Sequence, residues 1–146
     1  MPKSAVLLTL LALLCGSAQA AGLLRGGPQA FLPADEAFVL DAVGVAPGRI
    51  EARWLIAPGY YLYRHRLSFE LADGQTPDKI TIPDGAPYHD EHFGEVEIYR
   101  DELRVVLEVP EAPALQELKL GYQGCAEAGL CYPPETRQLS LDMPRP

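Results

Sequence analysis

The sequence predicts an all-β domain built as an antiparallel β-sandwich, on three observations. Apolar and polar residues alternate with period two in one short segment after another. Turn-forming Pro, Gly and Asp residues separate those segments. Fourteen prolines spread over 146 residues leave little room for long helices.

The elements follow in order. Residues 1–20 read as a secretory signal peptide: Lys3 is a short positive start, Ala5 to Leu14 is apolar except for Thr9, and Ala18-Gln19-Ala20 is a small-x-small cleavage site. The apolar core is too short to span a membrane. Cys15 lies within this segment behind the bulky Leu14, which disfavours lipid attachment. Residues 21–33 are rich in Gly and Ala and read as a loosely ordered lead, and residues 34–146 as one domain, with a helical turn over Pro33–Ala37.

From Phe38 onward the period is two. Ile50, Ala52, Trp54 and Ile56 share one face; so do Leu67, Phe69 and Leu71; Leu103, Val105, Leu107 and Val109; Leu118, Leu120 and Tyr122; and Leu139 and Leu141. Turns are expected at 46–48, 57–59, 72–74, 83–85 and 110–113. Trp54, in mid-strand, is a natural core residue. The cluster Arg64-His65-Arg66 reads as a solvated strand edge.

Removing the signal takes away Lys3 alone among the charges, leaving 11 Lys+Arg against 20 Asp+Glu and a net charge of −9. That argues against nucleic acid and against an anionic membrane surface as partners. About 126 residues remain, enough for one cored domain and not two.

The segment Gln123-Gly124-Cys125-Ala126-Glu127-Ala128-Gly129-Leu130-Cys131-Tyr132-Pro133-Pro134-Glu135-Thr136 holds the only cysteines beyond the signal. Export places them where disulfides persist. Three chemistries are open to the pair. A structural disulfide across so short a loop would gain only about 2 kcal/mol from loop closure, less than a bridge between distant strands. A metal site finds no support, because His65, His89 and His92 have no zinc-like spacing from the cysteines. A redox pair needs access and thiolate character. Gly124 and Gly129 suggest room for a partner backbone, and Pro133-Pro134 stiffens the exit. No cation neighbours the pair in sequence, and Glu127, if close, would raise the thiol pKa values. No glycine fingerprint for a dinucleotide is present, and no bound cofactor is expected.

The stretch Tyr122 to Thr136 resembles the N-terminal periplasmic domain of the transmembrane thiol:disulfide interchange protein DsbD. Three further segments carry the resemblance in the family order: Phe31-Leu32-Pro33-Ala34-Asp35-Glu36-Ala37-Phe38, Gly59-Tyr60-Tyr61-Leu62-Tyr63-Arg64 and Glu97-Ile98-Tyr99-Arg100-Asp101. It spans nearly all of the chain after the signal. The resemblance implies an immunoglobulin-like sandwich with Greek-key connections, in the periplasm, tethered to the inner membrane only through a following part of the parent protein. It implies a redox-active pair in which Cys131 forms the mixed disulfide and Cys125 resolves it. The implied electron donor is the thioredoxin-like domain of the same family protein. The implied acceptors are periplasmic disulfide isomerases and the thioredoxin-like protein of cytochrome c maturation.

The resemblance also implies a cap loop over the cysteines, matching Asp90-Glu91-His92-Phe93-Gly94, with Asp90, Glu91, Tyr61 and Tyr63 shaping the site. One position departs: the family's aromatic loop tip matches His92, with Phe93 next. An imidazole there would make exchange vary between about pH 5.5 and 7.5. Without the resemblance, Tyr60, Tyr61 and Tyr63 read as strand residues with wet hydroxyls, Asp90 and Glu91 as a solvated turn, and His65 and His89 as surface residues. The rival class is an exported binding module with a purely structural disulfide, recognising its partner at a sheet edge.

Overall fold

Alternation becomes burial along most of the faces the sequence shows, with Leu67 and Leu139 only half-buried. Ile50, Ala52, Trp54 and Ile56 are all buried, Trp54 completely; Leu103, Val105 and Leu107 lie beside Trp54, Ala52 and Ile50 on the neighbouring strand, and Val109 just beyond it is buried too. The structure, a computed structural model, describes residues 30–72, 74–110 and 115–145. The expected signal, most of the expected lead and most of the turn at 110–113 lie outside the described residues.

One helical turn, α1 (Ala34–Ala37), precedes β1 (Phe38–Ala46), β2 (Arg49–Ile56) and β3 (Tyr60–Tyr63). A 3-10 turn (Arg64–Arg66) leads into β4 (Ser68–Leu71), β5 (Lys79–Thr81), β6 (Ala86–Asp90), β7 (Gly94–Tyr99) and β8 (Glu102–Glu108). The chain ends with β9 (Leu115–Tyr122), β10 (Gly124–Ala126), β11 (Leu130–Cys131) and β12 (Glu135–Asp142).

Every strand pairing is antiparallel, in three sheets ordered β1-β2-β8-β5, β11-β10-β3-β7-β6 and β12-β9-β4. Strands remote in sequence are neighbours, β2 beside β8 and β3 beside β10, so the chain crosses repeatedly between sheets, as an immunoglobulin-like sandwich requires. The first sheet packs on the third: Trp54 meets Phe69 edge-on with ring centroids 6.3 Å apart, and Leu118 and Leu120 join the same core. The outer face of the first sheet is charged, with Arg53 on Glu102 at 2.8 Å and Arg104 on Glu51 at 3.3 Å.

Two expectations change. Leu32, placed in the lead, is held from both sides: its amide donates to the Tyr60 hydroxyl at 2.9 Å, and the Tyr132 hydroxyl donates to its carbonyl at 2.5 Å. The order therefore begins before residue 34. Arg64-His65-Arg66 is a 3-10 turn and not a strand edge. The register gives the reason. β3 pairs with β10 so that Leu62 faces Gly124, whereas β4 pairs with β9 so that Ser68 faces Gly121. The strand carrying β3 and β4 thus has three more residues than its partner, and these bulge out as the turn.

Candidate functional site

The second sheet positions the site. Its β10–β11 hairpin aligns Cys125 opposite Cys131, and the two are disulfide-bonded. Glu127-Ala128-Gly129 turn the chain between them, with Gly129 at φ 100, a left-handed conformation that a side chain would strain. The sulfurs are unequal. Cys125, on the inner strand β10, is 1% exposed, whereas Cys131, on the edge strand β11, is exposed. Gly124 does not open the site to a partner. It is buried, and a Cβ there would lie 2.4 Å from the Tyr61 carbonyl oxygen and 2.5 Å from the Phe38 ring. Its role is to let β10 lie against β3 and the core.

On β3, Tyr61 is the cross-strand partner of Cys125. Tyr63, two residues on, points to the same face. Its hydroxyl oxygen is 3.2 Å from Cys125 Sγ and 3.4 Å from the Tyr61 hydroxyl, and it donates to Asp90 Oδ2 at 2.5 Å. Asp90 ends β6 and is 6% exposed. Its other oxygen, Oδ1, accepts from the backbone amides of His92 at 2.8 Å and Phe93 at 2.9 Å. One carboxylate therefore ties the cap loop to the tyrosine that touches the buried sulfur.

These bonds set the protonation states. Burial, partly offset by the Tyr63 hydroxyl, pushes Tyr61 up to about 12. Burial and the bond to Asp90 raise Tyr63 far above the ordinary tyrosine value. Both stay neutral in water near neutral pH. Burial alone would raise Asp90, but the Tyr63 hydroxyl and the two loop amides together outweigh it and hold the carboxyl below its usual value.

Phe93, not His92, turns inward from the cap. Its ring meets Tyr63 at 5.2 Å and His65 at 5.0 Å between centroids, and the Arg66 guanidinium lies 4.6 Å from its centroid. His92 is exposed, and its ring enters no aromatic or ion-pair contact among the described residues. Glu91 is exposed in the same turn, and Gly94 closes it opposite Asp90 with φ 71. The position that departs from the family pattern is therefore on the outside of the loop. Beside the cap, burial and the adjacent Arg66 lower the pKa of His65. A cleft of about 540 Å³ lined by Arg64, His65, Ile82, Phe93, Glu95, Val96 and Glu97 borders the cap.

Sequence reasoning thus brought together Cys125, Cys131, Tyr61, Tyr63, Asp90 and the cap, and it missed His65, Arg66, Tyr88 and Arg100. Tyr88 packs on Tyr61 with ring centroids 5.1 Å apart. His65 and Arg66 reach the cap only because the register bulge throws them outward, which alternation along one strand does not reveal. His89 keeps its surface reading, paired with Glu95. Among the described residues no group of three His, Cys, Asp or Glu side chains gathers as metal ligands, and no helix is long and apolar enough to cross a membrane.

Comparison with known proteins follows this geometry. Residues 28–143 match the family model described as the N-terminal part of the thiol:disulfide interchange protein DsbD. The chain is 44% identical over 142 residues to the thiol:disulfide interchange protein DsbD of Cronobacter sakazakii, covering 96% of this chain and 24% of that protein. It is 44% identical over 118 residues to DsbD 2 of Pseudomonas aeruginosa, covering 80% of this chain and 19% of that protein. The chain thus spans about a quarter or less of the length of these curated relatives. Among solved structures, the reduced DsbD N-terminal domain of Neisseria meningitidis matches with TM-score 0.70 and 30% identity, over 77% of this chain and 90% of that one. The complex between the DsbD and PilB N-terminal domains of the same organism matches with TM-score 0.65 and 32% identity, over 75% of this chain and 86% of that one.

Proposed function

The chain belongs to the family of DsbD N-terminal domains, and on that premise we propose that it is an exported, periplasmic thiol–disulfide exchange domain that passes electron pairs through Cys125 and Cys131. The observation that carries the reading is the inequality of the two sulfurs, Cys131 exposed on an edge strand and Cys125 buried behind it.

Loading begins when a thiolate of a reduced thioredoxin-like donor attacks Cys131 Sγ. The Cys125–Cys131 bond breaks, and Cys125 leaves as a thiolate and takes up a proton. The donor's second thiol then attacks the mixed disulfide, releasing Cys131 and leaving the donor oxidised. Two electrons and two protons have entered the domain. Delivery runs in reverse order: Cys131 thiolate attacks the oxidised partner, and Cys125 resolves the mixed disulfide.

The polar groups at the site favour thiols over thiolates in the resting reduced state. Tyr63 has one hydroxyl proton and donates it in the hydrogen bond to Asp90, so its oxygen is left to accept from the Cys125 thiol. The Asp90 charge close by disfavours a thiolate. The reduced pair is therefore kept quiet until a partner displaces the cap, which suits a carrier that must not lose electrons to small oxidants.

The donor in this reading is the thioredoxin-like domain of the same family protein. The acceptors are periplasmic disulfide isomerases and the thioredoxin-like protein of cytochrome c maturation. Support for partners of this general kind comes from the Neisseria domain solved together with the PilB N-terminal domain.

Trapping tests the assignment. A Cys125→Ala variant is expected to accumulate a mixed disulfide with an oxidised thioredoxin-like partner, and Cys131→Ala is not. Equal trapping by both, or by neither, would overturn it. A midpoint below about −300 mV in a redox titration, typical of structural disulfides, would favour the binding-module class instead.

A further inference from the structure

Arg100 follows β7, and its guanidinium reaches two parts of the redox centre at once. Nε lies 2.7 Å from Glu127 Oε1, and Cζ lies 5.9 Å from the Tyr61 ring centroid and 5.8 Å from that of Tyr88. Glu127 is the first residue of the turn between the cysteines, and its amide donates to the Gly59 carbonyl at 2.8 Å. Tyr61 is the strand partner of Cys125, so its ring and the buried sulfur share one face. The place of Arg100 is itself fixed: Asp101 beside it has φ 61, its carbonyl accepts from the Ile56 amide at 2.8 Å, and the Arg100 carbonyl accepts from the Glu102 amide at 2.7 Å.

The exchange steps above make no use of these contacts. The Arg100 and Glu127 side chains are 41% and 47% exposed, and an ion pair so exposed adds little to stability. Its consequence is electrostatic. An unpaired Glu127 carboxylate in the six-residue separation between the cysteines would disfavour a thiolate on either sulfur.

We propose that Arg100 is a positioning residue of the exchange reaction, holding the turn between the cysteines against the tyrosines and cancelling the Glu127 charge so that Cys131 can ionise when the pair is reduced. This rests on the exchange reading. The step it serves is delivery: the Cys131 thiol gives its proton to solvent, its thiolate forms a bond to one sulfur of the oxidised partner, and the partner's other sulfur leaves as a thiolate that takes up a proton. The other titratable or charged groups near the site include Tyr61 and Tyr63 from β3, Tyr88 and Asp90 from β6, Glu91 and His92 from the cap turn, and His65 and Arg66 on the cap side.

The test is the pH dependence of iodoacetamide alkylation of Cys131, read on the Cys131 peptide of the full chain carrying Cys125→Ala, since Cys15 is the chain's other thiol. Arg100→Gln is expected to raise the apparent pKa of Cys131 by about half a unit, and Glu127→Gln to lower it by a similar amount. The double variant and Arg100→Lys are expected to stay near the parent. A merely structural role would move both single variants in the same direction, and that result, or no shift in either, overturns the proposal. If Arg100→Gln does not fold, Glu127→Gln decides alone, because an unchanged or raised value sinks the idea. A wild-type pair that fails to exchange with a reduced thioredoxin-like protein would instead overturn the exchange reading, since alkylation needs no partner.

Discussion

Asp90 is the residue on which the site turns. It is buried, ionised, and bonded at one oxygen to Tyr63 and at the other to two cap amides. Asp90→Asn removes the charge while keeping a similar shape. The thiolate is then less disfavoured, and alkylation of the reduced pair near neutral pH is expected to rise several-fold, up to about tenfold for one unit of thiol pKa. The same variant has a stability signature. A carboxyl whose folded value is lowered contributes stability that is present above its unfolded value, near 4, and is lost as pH falls through the folded value. Urea midpoints of the wild type are therefore expected to fall more steeply below about pH 4 than those of Asp90→Asn. Matching slopes would show that the carboxylate is not held as the geometry implies. Sequence alone left Asp90 open to a solvated-turn reading, because its distant partner, Tyr63 on β3, becomes visible only when β3, β7 and β6 are set side by side.

The cap and the 3-10 turn form one working unit at the level of elements. Phe93 is held by Tyr63, His65 and Arg66, contacts of a kind worth about 0.5–1.5 kcal/mol each. Losing them in Phe93→Ala is expected to raise the rate at which a small thiol reduces the disulfide by roughly tenfold or more, since three contacts even at the lower figure sum to about 1.5 kcal/mol. An unchanged rate would show that the loop does not guard the pair. Beside the pH dependence expected from His92, the geometry adds His65 as a second source, because its ring packs on Phe93. Its folded pKa is lowered, so its protonated form is disfavoured in the closed arrangement. The cap contact is thus at full strength above the unfolded histidine value, near 6.5, and weakens as pH falls below it. His65→Asn is expected to remove that acid-side rise in reduction rate and His92→Asn to leave it. The reverse outcome would make the loop tip the sensor. The hairpin element behaves differently. Gly124 and Gly129 look alike in sequence, yet one is needed where backbone meets an aromatic ring and the other where the chain turns left-handed.

Across the whole molecule, the sandwich sets β3 and β10 side by side behind the exposed Cys131. Its centre is Trp54, fully buried and edge-on to Phe69 and Tyr122. Trp54→Ala is expected to cost about 3–5 kcal/mol of unfolding free energy, a large part of what a domain of this size possesses, and a urea midpoint shifted by much less would place the core elsewhere. By itself the sequence determined the all-β class, the inward faces of β2, β4, β8 and β9, the turns that separate strands, the isolation of Cys125 with Cys131 and, through the resembling segments, the cap and its tyrosines. These are local quantities: a period of two follows from the pleat, and turn residues act on their own backbone. Only the tertiary structure decided that Phe93 and not His92 faces the site, that Arg64–Arg66 leave the sheet to meet it, that Cys125 is buried while Cys131 is exposed, and that Arg100 answers Glu127. Each of these depends on the register between strands far apart in the chain, and register is fixed by how whole faces pack rather than by any single segment.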